Sequence, residues 1–366
     1  MKKQVCKILC AAQPLLKAAI IILLSAGQLS GLNPGTPVNR YIVENWQENV
    51  KGLPSNSVTS IVQTPDGYLW IAASKGLVRF DGIKFSTIRF IKEGTGDRQK
   101  NNVPDVDVLF VDKKGTLWIG SAAGLTSYRP QSGQFDTLNT GAGIPKDRIR
   151  FIKDDLQGNL WISFFNGYLG RYSNGKYAVF NESQGLGGNK INAIIADPKG
   201  NLRFGTRENG VFEFRDGKFS QVPIVGLENA YIITMYEDRK GELWIGTNKG
   251  LLRVTATGGK NRKYTTRDGL ADDYVTDIIE DSDQGLWVGT VKGLTRVKKT
   301  TAGDVRFDRV LEPLTIMCLL EDSEKSLWVG TFDSGLLCLK NSKFKSYEAL
   351  ESYEEEILLS QFEDRN

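Results

Sequence analysis

The chain has 366 residues, 40% of them hydrophobic and 25% charged, with a formal net charge of +4. It holds no histidine, which excludes a Ser-His-Asp triad, a Cys-His pair and any histidine-held metal. The excess charge comes from Lys2, Lys3, Lys7 and Lys17, because residues 1–27 contain no acid and the remainder balances its acids and bases; no basic face for nucleic acid is expected.

Residues 1–27 read as a signal peptide. A lysine-bearing start is followed by an apolar run from Ala18 to Leu24 and then by Ser25-Ala26-Gly27-Gln28, small or polar residues where a signal peptidase could cut. The run falls short of the ~20 apolar residues that cross a bilayer. A membrane contact is therefore expected only through this segment, as a signal or an uncleaved anchor, and the rest is expected to be periplasmic or secreted. Cys6 and Cys10 would leave with it. Cys318 and Cys338 remain, on strands expected to lie two apart and so separated by ~10 Å, beyond the ~7 Å Cα reach of a disulfide. They are expected to be buried free thiols, and neither a metal site nor a cofactor is expected.

From residue 39 onward one unit recurs. Leu69-Trp70, Leu117-Trp118, Leu160-Trp161, Leu243-Trp244, Leu286-Trp287 and Leu327-Trp328 mark six copies, and Leu202-Arg203 marks a degenerate one standing fourth. A steady period of ~43 residues is the mark of a repeat architecture. In the fifth copy, Ile232 to Asp238 alternates as a first strand, and Leu243 to Thr247 is a second, rich in β formers. Asn248-Lys249-Gly250 turns into a third strand at Leu251 to Val254, and Arg262 to Thr266 is a polar fourth, suited to an outer edge.

Seven such meanders predict an all-β, seven-bladed β-propeller of four-stranded antiparallel blades over residues 39–347. Leucine and tryptophan of each second strand point to opposite faces, so one packs on the preceding blade and the other on the following one. The opening segment Asn39 to Trp46 parallels the fourth strand at Tyr264 to Thr266, and is expected to complete the seventh blade and pair the two ends of the chain. Lys343 to Tyr347 could supply the same strand, and the sequence does not choose between them. Residues 348–366 are acidic, with Leu350, Tyr353, Ile357, Leu358 and Phe362 at helical spacing. They predict a helical tail or a connector to another domain or subunit.

The unit Asp-x-x-Gly-x-Leu-Trp-Ile-Gly-Thr-x-x-Gly-Leu, as in Asp238 to Leu251, resembles the two-component regulator propeller repeat. The stretch Trp46, Gly52-Leu53-Pro54, Ser57-Val58 and Asp66 to Trp70 is similar to the start of that family's extracytoplasmic sensor region. The resemblance covers residues 40 to 347. It implies a periplasmic ligand-binding input feeding a histidine kinase or diguanylate cyclase, through a β-sandwich and a membrane helix. No counterpart of those later parts is found in this sequence, so the output is expected on a signalling protein partner or a missing C-terminal domain, or the propeller stands alone.

A residue repeated in nearly every copy serves the repeat, whereas a functional residue breaks it. Asp112, Asp155, Asp197, Asp238, Asp281 and Asp322 recur once per copy and are expected to cap the turn between first and second strands. No catalytic residue is expected among them. Arg203, in place of a packed tryptophan, is expected in a structural ion pair. The loops from second to third strands deviate in three copies, at Phe164-Phe165-Asn166, Arg207-Glu208-Asn209 and Phe332-Asp333. Exposed aromatics beside Asn, Arg, Glu and Asp suit a small molecule or an oligosaccharide, and these eight residues are the candidate ligand site. A glycan-cleaving propeller working through paired carboxylates and a protein-interaction scaffold remain as alternatives.

Overall fold

The computed structural model describes Leu32 and residues 41–48, 52–88 and 106–341, apart from the short internal stretches 123, 139–142, 146, 156, 181–183, 187–189, 198–200, 256–259 and 300–303. The expected signal peptide at 1–27, the competing closing strand at 343–347 and the tail at 348–366 lie outside the described residues.

Strand β1 (Tyr41–Trp46) precedes the first blade, β2–β5 (Val58–Gln63, Leu69–Ala73, Gly76–Phe80, Phe85–Ile88). The second blade is β6–β9 (Val106–Val111, Leu117–Ser121, Gly124–Arg129, Gln134–Leu138), and the third is β10–β13 (Ile149–Asp154, Leu160–Phe164, Leu169–Ser173, Lys176–Phe180). The fourth is β14–β17 (Ile191–Ala196, Leu202–Thr206, Val211–Arg215, Lys218–Val222), and the fifth is β18–β21 (Ile232–Glu237, Leu243–Thr247, Gly250–Val254, Arg262–Tyr264). The sixth is β22–β25 (Val275–Glu280, Leu286–Thr290, Gly293–Lys299, Val305–Leu311), and β26–β28 (Ile316–Glu321, Leu327–Thr331, Leu336–Asn341) begin the seventh. Each blade is a four-stranded meander, and β1 supplies the missing strand of the seventh by pairing antiparallel with β28, Tyr41 opposite Asn341 and Trp46 opposite Leu336. The protein is thus a seven-bladed β-propeller closed by its N-terminal strand. β21 is shorter than expected, because Thr265 leaves the strand to cap a single 3-10 turn, Thr266–Asp268, in a reciprocal capping box with Asp268.

The faces of each second strand separate as expected. Leu69 packs with Cys318 and Trp328 of the seventh blade, whereas Trp70 packs against Val106, Leu109 and Leu117 of the second. The same division recurs around the ring, with Trp161 beside Leu202, Trp244 beside Leu286 and Trp287 beside Leu327. Burying a tryptophan removes ~150–250 Å² from water, about 4–6 kcal/mol of transfer free energy, so most of the stability lies between blades and an isolated blade could not hold its fold. Trp46 of β1 joins this system, stacked on Trp328 at 5.2 Å and edge-on to Phe80 at 5.9 Å. In five of the seven copies a glycine stands two residues after the Arg or Trp of the second strand, at Gly120, Gly205, Gly246, Gly289 and Gly330: a Cβ on Gly246 would lie 2.6 Å from Thr234 of its own blade and from Val275 of the next.

The repeated aspartates cap turns, and they also bind the tryptophans. Asp238 Oδ1 accepts from the N–H groups of Lys240 and Glu242, and Oδ2 accepts from Trp244 Nε1 at 2.8 Å. Asp112, Asp155, Asp281 and Asp322 repeat the tryptophan bond at 2.6–3.1 Å. In the first blade Thr64 Oγ1 takes this place. In the fourth, where tryptophan is absent, Asn201 Nδ2 donates to Asp197 Oδ2, a bond that Asn159 also makes to Asp155 Oδ2 beside the tryptophan of the third blade, and Arg203 forms the expected ion pair, reaching Glu237 of the fifth blade at 3.2 Å. Cys318 and Cys338 are free and buried, on the first and third strands of the seventh blade. Burial pushes both thiols up, Cys338 to about 12, which keeps them protonated and unreactive.

Candidate functional site

Loops joining second to third strands, and those entering each first strand, share one face of the ring. Backbone bonds tie the two kinds together: Phe165 N to Arg148 O, Arg207 N to Lys190 O, Asn248 N to Tyr231 O, Val291 N to Tyr274 O and Phe332 N to Thr315 O. The first strand of every blade also carries a register shift at its entry, between residues 149 and 151 in the third blade and between 191 and 193 in the fourth. Such a bulge takes one residue out of the ladder and re-aims its side chain. Arg150 holds that position in β10, Asn192 in β14 and Thr276 in β22.

The three divergent loops are one residue longer than the usual turn. In the fourth and seventh blades a threonine anchors the loop, with Thr206 Oγ1 donating to Gly210 O and Thr331 Oγ1 to Gly335 O. The third blade has Phe164 in that place. Contrary to expectation Phe164 is not exposed: it is 0% exposed within the core of blades two and three, edge-on to Tyr177. As the last residue of β11 it takes the inward direction that threonine takes elsewhere. Asn166 is spent on its own loop, its Oδ1 accepting from Tyr168 N while its N–H donates to Asp147. The backbone of Asn209 is held by Thr206 and Gln221. Glu208 is exposed at the loop tip. Phe332 is 58% exposed and Asp333 accepts from Ser334 Oγ, but they stand three blades away from the loops of blades three and four.

Phe165 and Arg207 are the two expected residues that meet arginine-aromatic partners on this face, in adjacent blades. The guanidinium carbons of Arg148 and Arg150 both lie 5.0 Å from the Phe165 ring centre, and that of Arg207 lies 5.1 Å from Tyr231. Arg148 is neutralised by Asp107 of the second blade, its Nε donating to Oδ2 at 3.1 Å. Among the described residues no carboxylate pairs with Arg150 or Arg207. Burial first, and the charge of Arg207 second, hold the Arg150 guanidinium below the usual arginine range, while the Tyr274 hydroxyl acts in the opposite direction. Phe165, Tyr231 and Tyr274 are 39%, 40% and 44% exposed on this face.

Arg148, Arg150, Tyr231 and Tyr274 stand beside the expected residues on this face without having been expected there, although a signal existed. Aligning the strand entries Ser57-Val58-Thr59, Arg148-Ile149-Arg150, Lys190-Ile191-Asn192, Tyr231-Ile232-Ile233 and Tyr274-Val275-Thr276 shows an apolar anchor flanked by variable positions. A shallow depression lies on the opposite face at the seam of blades seven and one. Its polar lining is already engaged: Glu44 holds Lys340, Asp81 caps Ile83 and Lys84, and Asp322 holds Trp328. No group of three metal-ligating side chains occurs among the described residues, and no helix among them is long and apolar enough to cross a membrane.

Fold and site together define a closed repeat propeller with an arginine-aromatic cluster at one mouth of its ring. The chain carries two-component regulator propeller repeats: that family matches residues 52–75, 226–249, 269–292 and 311–333, in blades one, five, six and seven. Histidine kinase P4 of Formosa agariphila is 25% identical over 239 residues, which is 61% of this chain and 17% of that protein. The extracellular domain assigned to a hybrid two-component system of B. thetaiotaomicron superposes with a TM-score of 0.67 at 23% identity, covering 82% of this chain and 42% of that one. A catalytically inactive histidine-to-alanine variant of virginiamycin B lyase from Staphylococcus aureus gives a TM-score of 0.62 at 13% identity, covering 82% of this chain and 99% of the lyase chain. At these identities the solved structures establish the fold. The chain spans less than a fifth of the kinase and under half of the two-component domain.

Proposed function

We propose that this propeller is the ligand-binding input of an extracytoplasmic sensor, passing occupancy of its mouth to a histidine kinase or diguanylate cyclase output. The observation that carries the reading is where the ring stops repeating. The third and fourth blades combine longer loops with Phe165, Arg150 and Arg207, groups that no blade needs for its own packing. The signalling role is supported by the repeat family and by the likeness to a histidine kinase, and the location by the lysine-led apolar start of the sequence. The histidine whose loss inactivates the lyase variant has no equivalent in a chain without histidine, which favours binding over turnover.

A thermal-shift screen of the chain from Gln28 onward against soluble oligosaccharides, with products followed by mass spectrometry, tests this. A ligand at one hundred times its dissociation constant stabilises the folded form by ~2.7 kcal/mol. A raised midpoint with the sugar recovered intact is the expected result. Cleaved sugar would establish an enzyme instead, and no shift with any glycan would transfer the input role to a protein partner.

A further inference from the structure

The two arginines at the mouth are in an unusual electrostatic position. On the same face Lys75 is met by Glu48, Arg148 by Asp107 and Lys292 by Asp272. Arg150 and Arg207 come from adjacent blades, and each guanidinium carbon lies over an aromatic ring, 5.0 Å from the centre of Phe165 and 5.1 Å from that of Tyr231. Stacking covers the face of a guanidinium and leaves its in-plane N–H donors free, a fork that fits the two oxygens of a carboxylate, sulfate or phosphate. Two like charges facing one mouth, the half-buried Arg150 and the exposed Arg207, are unfavourable neighbours until an anion lies between them. One blade along from Arg150, Asn192 is 8% exposed; its Nδ2 donates to Ile232 O at 2.6 Å, while its Oδ1 has no partner among the described residues. An acceptor of that kind suits a ligand hydroxyl.

We propose that this mouth is an anion-recognition site, in which Arg150 and Arg207 together grip an acidic group borne on a ligand whose ring packs against Phe165 or Tyr231. The inference rests on the reading that the mouth binds the sensor's ligand, and it adds the chemical class: a sugar carrying a carboxylate, sulfate or phosphate, rather than a neutral glycan. Without that acidic group the two guanidiniums would have to be desolvated with nothing to compensate them, so neutral analogues are discriminated against.

Isothermal titration of the purified chain against trigalacturonate, a sulfated disaccharide, inorganic phosphate and neutral maltotriose separates the sources of the anion. The expected result is binding of one charged sugar that weakens as salt is raised. Arg150→Gln or Arg207→Gln should weaken it on the order of tenfold or more, and Lys292→Gln should leave it unchanged. Phe165→Ala should weaken the sugar but not inorganic phosphate. Arg207 is exposed on a loop, so its variant carries the test if Arg150→Gln does not fold. Maltotriose binding as tightly as the acidic sugars, or wild-type affinity in both arginine variants, overturns the anion assignment and leaves a ligand-binding mouth standing. Absence of binding for all four probes at millimolar concentration overturns both.

Discussion

Asp281→Ala tests the bond that repeats around the ring. Asp281 is 1% exposed and accepts from Gly285 N at 2.7 Å, Trp287 Nε1 at 2.7 Å and Asp283 N at 3.0 Å. The first two donors are buried, whereas Asp283 N can turn to water. A buried donor left without a partner costs ~1–3 kcal/mol, so two of them cost ~2–6 kcal/mol. Alanine also releases a carboxyl whose pKa is raised, by burial first and against the opposing bond from Trp287, which places the expected net loss near ~3 kcal/mol. Urea unfolding at neutral pH, followed by circular dichroism, reads the loss as a lowered midpoint at constant slope. Adding Trp287→Phe removes the orphaned indole donor, so the double variant should be less destabilised than the sum of the singles by ~1–2 kcal/mol. A single-variant loss under ~1 kcal/mol, or strict additivity in the double variant, would refute the claim that the aspartate-tryptophan bond holds the unit together.

Asp277 of β22 accepts from Leu319 N of the seventh blade at 2.8 Å and from Ile278 N, and burial raises its carboxyl to about 7. The folded chain then keeps a proton that the unfolded chain releases near pH ~4, so stability should fall as pH rises from about 4 to about 7, by up to ~4 kcal/mol, and level off above. Asp277→Ser copies the first blade, where Ser60 Oγ accepts from Leu109 N at 3.1 Å; it should flatten that slope, and a profile of unfolding midpoint against pH unchanged from wild type would sink the assignment. Arg203→Trp restores the repeat's own residue, yet it should destabilise by ~1–3 kcal/mol, because Glu237, part-buried at the seam with the fifth blade, loses its partner. A gain in thermal midpoint would show instead that interblade packing outweighs the ion pair.

Much of the fold was legible because the repeat states it many times. The Leu-Trp pair announced both faces of the second strand, and the likeness of Asn39 to Trp46 to a fourth strand announced the closure made by β1 and β28. The candidate site was legible in part. Asking where copies depart from one another selects Phe165 and Arg207, which the structure leaves on the mouth face beside aromatic or arginine partners, but it also selects Phe164, whose departure is a change of core residue. Nothing in the letters separates a phenylalanine that ends a strand facing inward from one that begins a loop facing outward. Asn166 shows a related ambiguity: its Oδ1 closes its own turn, a local use that a polar loop residue satisfies as readily as a ligand contact.

The sequence by itself determined the period, the blade count, the interblade role of each leucine and tryptophan, and the absence of histidine chemistry, since these depend on residue type and spacing along the chain. Only the tertiary structure decided which side chains meet. Arg150 is brought over the Phe165 ring, Arg207 over Tyr231 of the next blade, and Arg148 to Asp107 of the one before, by the circular arrangement of blades and by a bulge that takes one residue per blade out of its ladder. The aspartate that caps a turn was likewise found to hold the tryptophan of its own blade only once the turn was folded back over the second strand. Repetition along a chain encodes what every blade shares, whereas a site at the mouth is assembled from the positions where neighbouring blades differ, and closing the ring is what sets those positions side by side.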